Sequence, residues 1–428
     1  VKEATGKVAE LAAEAMKRGR RSPFPWWSKL DLGRQGKPKA TLHNVVTVLA
    51  EHPDWVDLYR LDEFANVIRL TRPPPYGGEA RELVDGDAAE LAAWLGDPQM
   101  TGMPVGTGLA LEAIGVVAGR HRVHPVRAYL EALTWDGQVR LRHLFPDQFG
   151  SPSTLYTQGV GPCWLVSAVA RVMDPGCKVD FMVVLEGAQG LGKSSAIRRL
   201  FGAEWYAEMV EPPGAKDFYQ VLAGRWVVEI AEMQSFARAE VAKVKQAVTT
   251  QDDVYRPSYG RVARRFPRQT VFVGSTNEDE YLRDHTGGRR FLPVRCTEVD
   301  VAGIAGLRDQ IWAEALAWYR EGFAYWSLPE EAREEQEIRF QEDSWTDPIR
   351  EWLEGRGPAA SYGVSEPIGP LARTTVTEVM ARALGIEIAK HTRQDQMRVG
   401  VVLRRLGWQR RRAATGSRQW CYERAQAP

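Results

Sequence analysis

A chain of 428 residues, 44% of them hydrophobic and 26% charged, is a globular composition with length for about two to four domains. Lys and Arg number 56 against 55 Asp and Glu, a net of +1, so no global field marks a nucleic-acid or membrane binder and any such role must come from local patches. No apolar run approaches bilayer length, and Val1-Lys2-Glu3-Ala4 lacks the basic, apolar and small-residue order of a signal peptide, so the expected compartment is the cytoplasm.

The four cysteines (Cys163, Cys177, Cys296, Cys421) show neither C-x-x-C pairing nor the density of a disulfide scaffold, and neither structural zinc nor a disulfide is expected. The chain opens on Val1 rather than Met, from which a further domain before it is expected.

Residues 1–105 read as an α+β accessory region: a basic helix-like start (Lys17, Arg18, Arg20, Arg21), an apolar stretch at 42–49, an aromatic segment around Trp55 and Tyr59, and a break at Pro73-Pro74-Pro75. Over 106–175 apolar residues recur at helical spacing, as in Leu109, Leu111, Ile114 and Val117, then Trp164, Leu165, Ala168, Val169 and Val172, which predicts a helical unit. Residues 176–353 form the next expected domain, an α/β P-loop core with trailing helices. Near-continuous apolar runs at 179–185, 226–230 and 270–274 predict strands of a sheet covered on both faces.

The first strand leads into Gly187-Ala188-Gln189-Gly190-Leu191-Gly192-Lys193-Ser194, which fits G-x-x-x-x-G-K-[ST] between a strand and a helical stretch. Glycines there let backbone N–H groups turn inward around β- and γ-phosphates at a positive helix N-terminus. Lys193 is expected to neutralise phosphate charge and Ser194 to hold Mg²⁺, with ATP the expected ligand. The bland alternative is a Gly-rich turn with no ligand.

Hydrolysis also needs an acid at a second strand end. Glu229 and Glu232 stand three apart on the second strand, so both can serve one site only if the strand ends between them. Glu232 is the preferred catalytic base and Glu229 the second-rank, metal-side candidate; either could instead pair with a nearby arginine. From Val254 to Arg268 there are five arginines and no acid, interleaved with aromatics around a Ser-Tyr-Gly turn. Arg256, Ser258, Tyr259, Gly260, Arg261, Arg264 and Arg265 are the candidate contacts to single-stranded DNA, against the alternative of a solvated basic hairpin. Asn277, after the third strand, either aligns the attacking water or caps the turn before Glu278. Arg289 and Arg290 follow on a Gly-rich loop, where one guanidinium could reach a phosphate in a neighbouring subunit while the other holds the loop through Asp284.

A Trp-rich acidic helical stretch runs from 307 to 352, and 354–370 reads as a linker. Residues 371–428 hold twelve Lys or Arg against four acids, a net of +8. Their order suggests a winged-helix-like module: a short helix at 376–384, a second at 396–406 burying Met397, Val401, Leu403 and Leu406, and a basic hairpin of 408–412 with 418–422. Arg404, Arg405, Arg410, Arg411 and Arg412 are its candidate contacts to duplex or forked DNA, although winged helices also serve as protein contacts.

Over most of 40–350 the chain resembles the virulence-associated protein E family of phage and plasmid-type ATPases, related to superfamily 3 helicases of the AAA+ class. The resemblance rests on the 124–130 stretch HPVRAYL with Leu133-Thr134-Trp135-Asp136-Gly137, on Pro175-Gly176-Cys177-Lys178-Val179-Asp180, on Glu229 to Glu232, Tyr255 to Tyr259 and Ser275-Thr276-Asn277, and on Thr286-Gly287-Gly288-Arg289-Arg290-Phe291. It implies an AAA+ superfamily 3-like core in a ring-forming, hexameric ATPase motor acting on replication DNA in a bacterial host, often beside or fused to a primase. The split acids depart from the side-by-side pair of many superfamily 3 proteins. The leading expectation is an ATP-driven DNA helicase or replication initiator. A DNA-docking replication-interference protein using ATP only for assembly, and a nucleotide switch without nucleic acid, are the competing readings.

Overall fold

The computed structural model describes residues 25–34, 36–209, 218–233, 238–255, 263–277, 290–338, 345–355, 370–412 and 420–424. The chain divides into two compact units, Val1–Arg339 and Phe340–Pro428.

The first unit opens with an α+β layer. Strands β1 (Tyr59–Asp62), β2 (Val67–Leu70) and β3 (Arg122–Val123) form a sheet of order β2-β1-β3, antiparallel between β1 and β2 and parallel between β1 and β3. The helices Leu42–Glu51, Asp85–Gly96 and Thr107–Arg120 pack with it around a core that includes Trp55, Leu91 and Ile114. Helix Thr107–Arg120 therefore closes the accessory region rather than opening the helical unit, a correction to the boundary expected at 105/106. Its apolar stripe announces that a face is buried but not against what.

Beyond it lies a five-stranded parallel sheet: β4 (Met182–Glu186), β5 (Tyr206–Glu208), β6 (Val227–Ile230), β9 (Val271–Thr276) and β10 (Phe291–Arg295), in the order β10-β4-β9-β6-β5. Two more strands, β7 (Asp252–Tyr255) and β8 (Arg264–Pro267), make a separate antiparallel hairpin. The strands are buried on both faces except at the sheet edge formed by β5. Alternation with period two decides which side chain meets which layer. Val183, Leu185, Val227, Val271, Val273, Leu292 and Val294 share one core with the helices Leu155–Met173, Lys193–Phe201 and Val301–Arg320. At its centre Trp226 and Trp312 lie 4.1 Å apart between ring centroids, and each indole N–H is satisfied, by Ala168 O at 2.9 Å and Leu200 O at 2.7 Å.

Two buried polar contacts anchor the third predicted strand. His124 caps the helix Pro125–Ala132: its Nδ1 accepts from the Arg127 N–H at 3.1 Å, so its Nε2 carries the proton toward Gln269 Oε1 at 2.6 Å. Arg268 is 2% exposed and forks onto Asp253, with a further bond to the Ala247 carbonyl. It belongs to the core, which removes one arginine from the basic stretch of 254–268.

In the second unit, the helices Thr346–Leu353 and Arg393–Arg405 pack with a short helical segment over 376–383 and with a sheet of β11 (Arg373–Thr374), β12 (Trp408–Arg412) and β13 (Trp420–Arg424), in the order β11-β13-β12. The helix Thr346–Leu353 thus joins this unit, not the trailing helices of the preceding domain: Ile349 and Leu353 are in its core, and Leu371 N–H bonds Leu353 O at 2.8 Å. Among the described side chains of Arg393–Arg405, the apolar ones that are buried are Val399, Val402 and Leu403, whereas Met397 is 66% exposed, contrary to the expected stripe, and the Val401 side chain lies outside the described set.

Burial disfavours the charged ring and holds the His124 pKa below the ordinary 6.5, and the cap needs that neutral ring because Nδ1 accepts. A depressed folded-state pKa means that its contribution is complete above about pH 6.5 and is lost as pH falls through the lower folded value. His124→Ala is expected to cost about 1 kcal/mol at pH 7.5, and its stability gap from wild type should narrow by pH 5 in urea denaturation. A gap that stays constant or widens would show that the cap tolerates the imidazolium.

Candidate functional site

In a parallel sheet the strand ends that point the same way share one edge, and ligands of open α/β sheets collect there. Here that edge gathers the end of β4 with the 187–194 loop, the end of β6 with Glu232, and the end of β9 with Asn277. A cavity of about 350 Å³ is lined by residues 189–195, Ala231, Glu232, Ser275, Thr276 and Asn277. The structure therefore brings together residues that lie up to eighty-eight positions apart in the sequence, from Gln189 to Asn277.

The loop is built for close approach. Gly187 N–H bonds Thr276 O at 3.1 Å, and a Cβ at Gly187 would collide with the Cys296 carbonyl. Gly192, at φ +90°, stands in the left-handed region as the N-cap of Lys193–Phe201 and turns the chain into that helix. Lys193 is 7% exposed, and its ammonium donates to Gly187 O at 2.6 Å and Ala188 O at 3.0 Å, which sets it inside the curve of the loop. Burial holds its pKa below the usual lysine value, with Cys296 and Glu229 acting in the opposite direction.

Glu229 is 1% exposed, on the same face of β6 as Val227 and one register step beyond the apolar core. Its Oε1 accepts from Ser194 Oγ at 2.8 Å and from Ser275 Oγ at 2.8 Å, and its Oε2 from the Tyr206 hydroxyl at 2.7 Å. Burial, reinforced by the carboxylate, pushes the Tyr206 pKa far up, so the phenol stays a donor. β6 ends at Ile230, between the two glutamates, as a shared site requires. Glu232 follows at φ +51°, exposed on the cavity wall. A non-glycine residue held there stores strain of about 1–3 kcal/mol, a feature that clusters at functional sites. Of the two glutamates, Glu229 is the carboxylate that touches the loop serine. Among the described residues the partners of Glu229 are three hydroxyls, not an arginine. Sequence reasoning missed Tyr206 and Ser275; the period of β9 could have found Ser275, two residues beyond Val273, whereas Tyr206 sits on a three-residue edge strand with no pattern of its own.

Oxygen donors of this kind suit a hard divalent cation. Among the described residues no group of three or more His, Cys, Asp or Glu side chains could hold a metal. Ser194 and Glu229, with Glu232 on the cavity wall, could hold such a cation if its remaining ligands came from water and from phosphates, the usual arrangement for Mg²⁺.

Other predicted residues fall elsewhere. Arg290 precedes β10, whose first residue, Phe291, pairs with Met182 at the start of β4; it is at the opposite end of the sheet from the loop of its own chain. Arg289 lies outside the described residues, as do Arg256, Ser258, Tyr259, Gly260 and Arg261. At the described base of the hairpin, Arg264 and Arg265 are exposed, Arg265 reaching Asp252 at 3.7 Å, and Tyr255 and Phe266 lie 4.5 Å apart between ring centroids. Arg404, Arg410, Arg411 and Arg412 are exposed in the second unit, and the Arg405 side chain is outside the described set. Among the described residues no helix is long and apolar enough to cross a membrane.

Sheet and site define a mixed α/β protein with the G-x-x-x-x-G-K-[ST] loop at the carboxyl edge of a parallel sheet. The virulence-associated protein E-like domain model matches residues 130–344, and the chain belongs to that family. No curated protein matches the sequence. Among solved structures the chain is similar to the A form apo structure of the NrS-1 C terminal region at 12% identity and a TM-score of 0.48, over 86% of this chain and 96% of that one. An apo structure of the NrS-1 C terminal region (305-718) aligns at 12% identity and a TM-score of 0.43, over 69% and 74% of the two chains.

Three hydroxyls on one buried carboxylate should behave as a unit. Tyr206→Phe and Ser275→Ala are each expected to cost about 1–3 kcal/mol, with a double-mutant coupling of at least about 0.5 kcal/mol in denaturant titrations. Strict additivity would mean that the two donors do not share Glu229.

Proposed function

We propose that this protein is an ATP-hydrolysing motor with an AAA+ superfamily 3-like core, assembling into a homo-oligomeric ring, a hexamer, and moving on single-stranded DNA during replication of a phage or mobile element. The observation that carries this reading is the hydrogen bond from Ser194 to the buried Glu229 beside the glycine loop, with Glu232 and Asn277 on the same cavity wall. Family membership supports the nucleic-acid side of the proposal.

In this reading the backbone N–H groups of residues 187–194 and the N-terminus of Lys193–Phe201 cradle the phosphates of ATP, and Lys193 swings from its carbonyl partners onto the phosphate charge. Mg²⁺, held by Ser194 with Glu229 behind it, supplies Lewis-acid polarisation of the phosphates when bound. Glu232 takes the proton of the attacking water, and Asn277 orients that water from the neighbouring strand end. Arg290 or Arg289 acts across a subunit boundary; the placement of Arg290 at the far end of the sheet favours a role outside its own chain's cavity. The hairpin of β7 and β8 follows single-stranded DNA by phosphate contact and stacking, and the basic second unit contacts duplex or forked DNA.

Lys193→Ala is expected to abolish ATP turnover in a folded chain. Glu232→Gln should retain ATP binding and lower hydrolysis by roughly 10²- to 10⁴-fold, whereas Glu229→Gln should weaken Mg²⁺-dependent binding as well. Wild-type turnover by Lys193→Ala would sink the nucleotide assignment, and wild-type turnover by Glu232→Gln would remove it as base. DNA-stimulated turnover without strand displacement would favour the docking alternative.

The shared site has its own test. An arginine supplied in trans is worth roughly 10³ to 10⁵ in rate. Chains carrying Lys193→Ala and chains carrying Arg290→Ala should each be inactive, and mixing them should restore measurable ATPase where an intact Lys193 of one faces an intact Arg290 of the other. Arg289→Ala is the parallel arm. Demonstrated co-assembly with no activity in either mixture would refute the trans arginine.

A further inference from the structure

In the second unit, β12 and β13 pair with Trp408 opposite Arg424, Arg410 opposite Tyr422 and Arg412 opposite Trp420. The two-residue period therefore puts Trp408, Arg410, Arg412, Trp420 and Tyr422 on one face of the hairpin. At the base of that face Trp408 and Tyr422 are buried in the unit's core with Val399, Val402 and Leu403. Farther along, the core runs out but the face continues. Trp420 is 51% exposed, and the guanidinium carbons of Arg410 and Arg412 lie 4.2 Å and 5.9 Å from its ring centroid.

The opposite face differs in charge. Arg411 reaches Glu423 at 3.7 Å, and Glu423 also approaches Arg373 at 3.9 Å, so its two cations share one carboxylate. Arg410 and Arg412 have no carboxylate partner among the described residues. The result is a half-exposed indole with the Arg410 guanidinium over its ring and that of Arg412 farther out, neither met by a carboxylate among the described residues. An acidic peptide would answer the cations and leave the ring uncovered. A nucleotide answers both, with its phosphate on the arginines and its base on the indole.

We propose that Trp420, with Arg410 and Arg412, is a stacking platform for an unpaired base at a junction between single-stranded and duplex DNA. Inside a duplex each base face is covered by its neighbours; at a junction or a single strand a face is free to stack on an aromatic ring. The inference rests on the proposed DNA-binding role of this unit and narrows it: the arginines alone would read phosphate without regard to pairing, whereas the indole requires an open base.

The test uses the full-length chain with three probes of equal length: a fork carrying 2-aminopurine at the junction, a blunt duplex and a single strand. Wild type is expected to quench the junction fluorophore. Trp420→Ala should abolish the quench and weaken fork binding on the order of 10-fold while changing blunt-duplex affinity less than about twofold. Trp420→Phe should restore most of the quench, which separates stacking from misfolding. Arg410→Gln with Arg412→Gln should weaken fork and duplex alike and flatten the dependence on salt. Unchanged fork binding and quench in Trp420→Ala would overturn the proposal, as would equal losses on fork and blunt duplex or tighter wild-type binding to an acidic peptide than to the fork. Wild type that binds none of the three probes would instead sink the DNA-binding reading on which the platform rests.

Discussion

Glu229 is the residue on which the candidate site turns. A carboxylate at 1% exposure is costly unless its lone pairs are met, and three hydroxyls meet them, from the first turn of Lys193–Phe201, from β9 and from β5. Those donors come from both neighbours of β6 and from the helix above it. The same bonds that neutralise the cost of burial thus fix the mutual positions of the glycine loop, the end of β9 and the edge strand. Each donor is neutral, so the charge itself is solvated but not paired within the trio, which suits a group that meets a cation arriving with its ligand.

Much of this arrangement was legible before any coordinates, because it follows from two periodicities and one motif. Apolar runs without alternation gave β4, β6 and β9 as strands covered on both sides, and the spacing of Glu229 and Glu232 demanded that β6 end between them, at Ile230. The strands that escaped notice are both at the sheet's edges. β5 has only three residues, and β10 contains Pro293, which argues against an interior strand and is tolerated because β10 has a partner on one side only. Local pattern also could not say what a buried face packs against. Helix Thr107–Arg120 went to the wrong layer, Met397 was counted into a stripe it does not join, and Arg268 was counted among the arginines of the basic stretch although Asp253, two residues before Tyr255, folds back to pair with it.

The polarity of the parallel sheet separates two segments that sequence order places close together. Asn277 and Arg290 are thirteen positions apart, yet Asn277 leaves β9 at the edge holding the glycine loop, and Arg290 enters β10 at the opposite edge. A parallel crossover has this consequence by construction, since the chain must return to the starting end of the sheet before the next strand. Arg290 therefore reaches the cavity of its own chain only across the length of β10, some 15 Å or more at the usual rise per residue. A neighbouring molecule stacked against that edge needs no such reach, which gives the proposed shared site a geometric basis independent of the composition of the loop.

β9 connects the two places where chemistry is proposed. One end follows directly from Arg268, whose buried fork onto Asp253 fixes the base of the β7–β8 hairpin; the other carries Ser275 on Glu229 and Asn277 on the cavity wall. Between them run six residues buried on both faces, with β4 on one side and β6 on the other. Such a strand has no free volume in which to bend, because close-packed interiors transmit a displacement rather than absorb it. His124 adds a third fixed point through Gln269, just upstream of the strand. The contacts at the two ends of β9 thus tie the hairpin base and the carboxylate of Glu229 to one strand. The buried ion pair is thus better understood as a fastening of the hairpin to the sheet than as a source of stability, since an apolar pair of the same volume would cost less to bury but would leave the hairpin free to pivot.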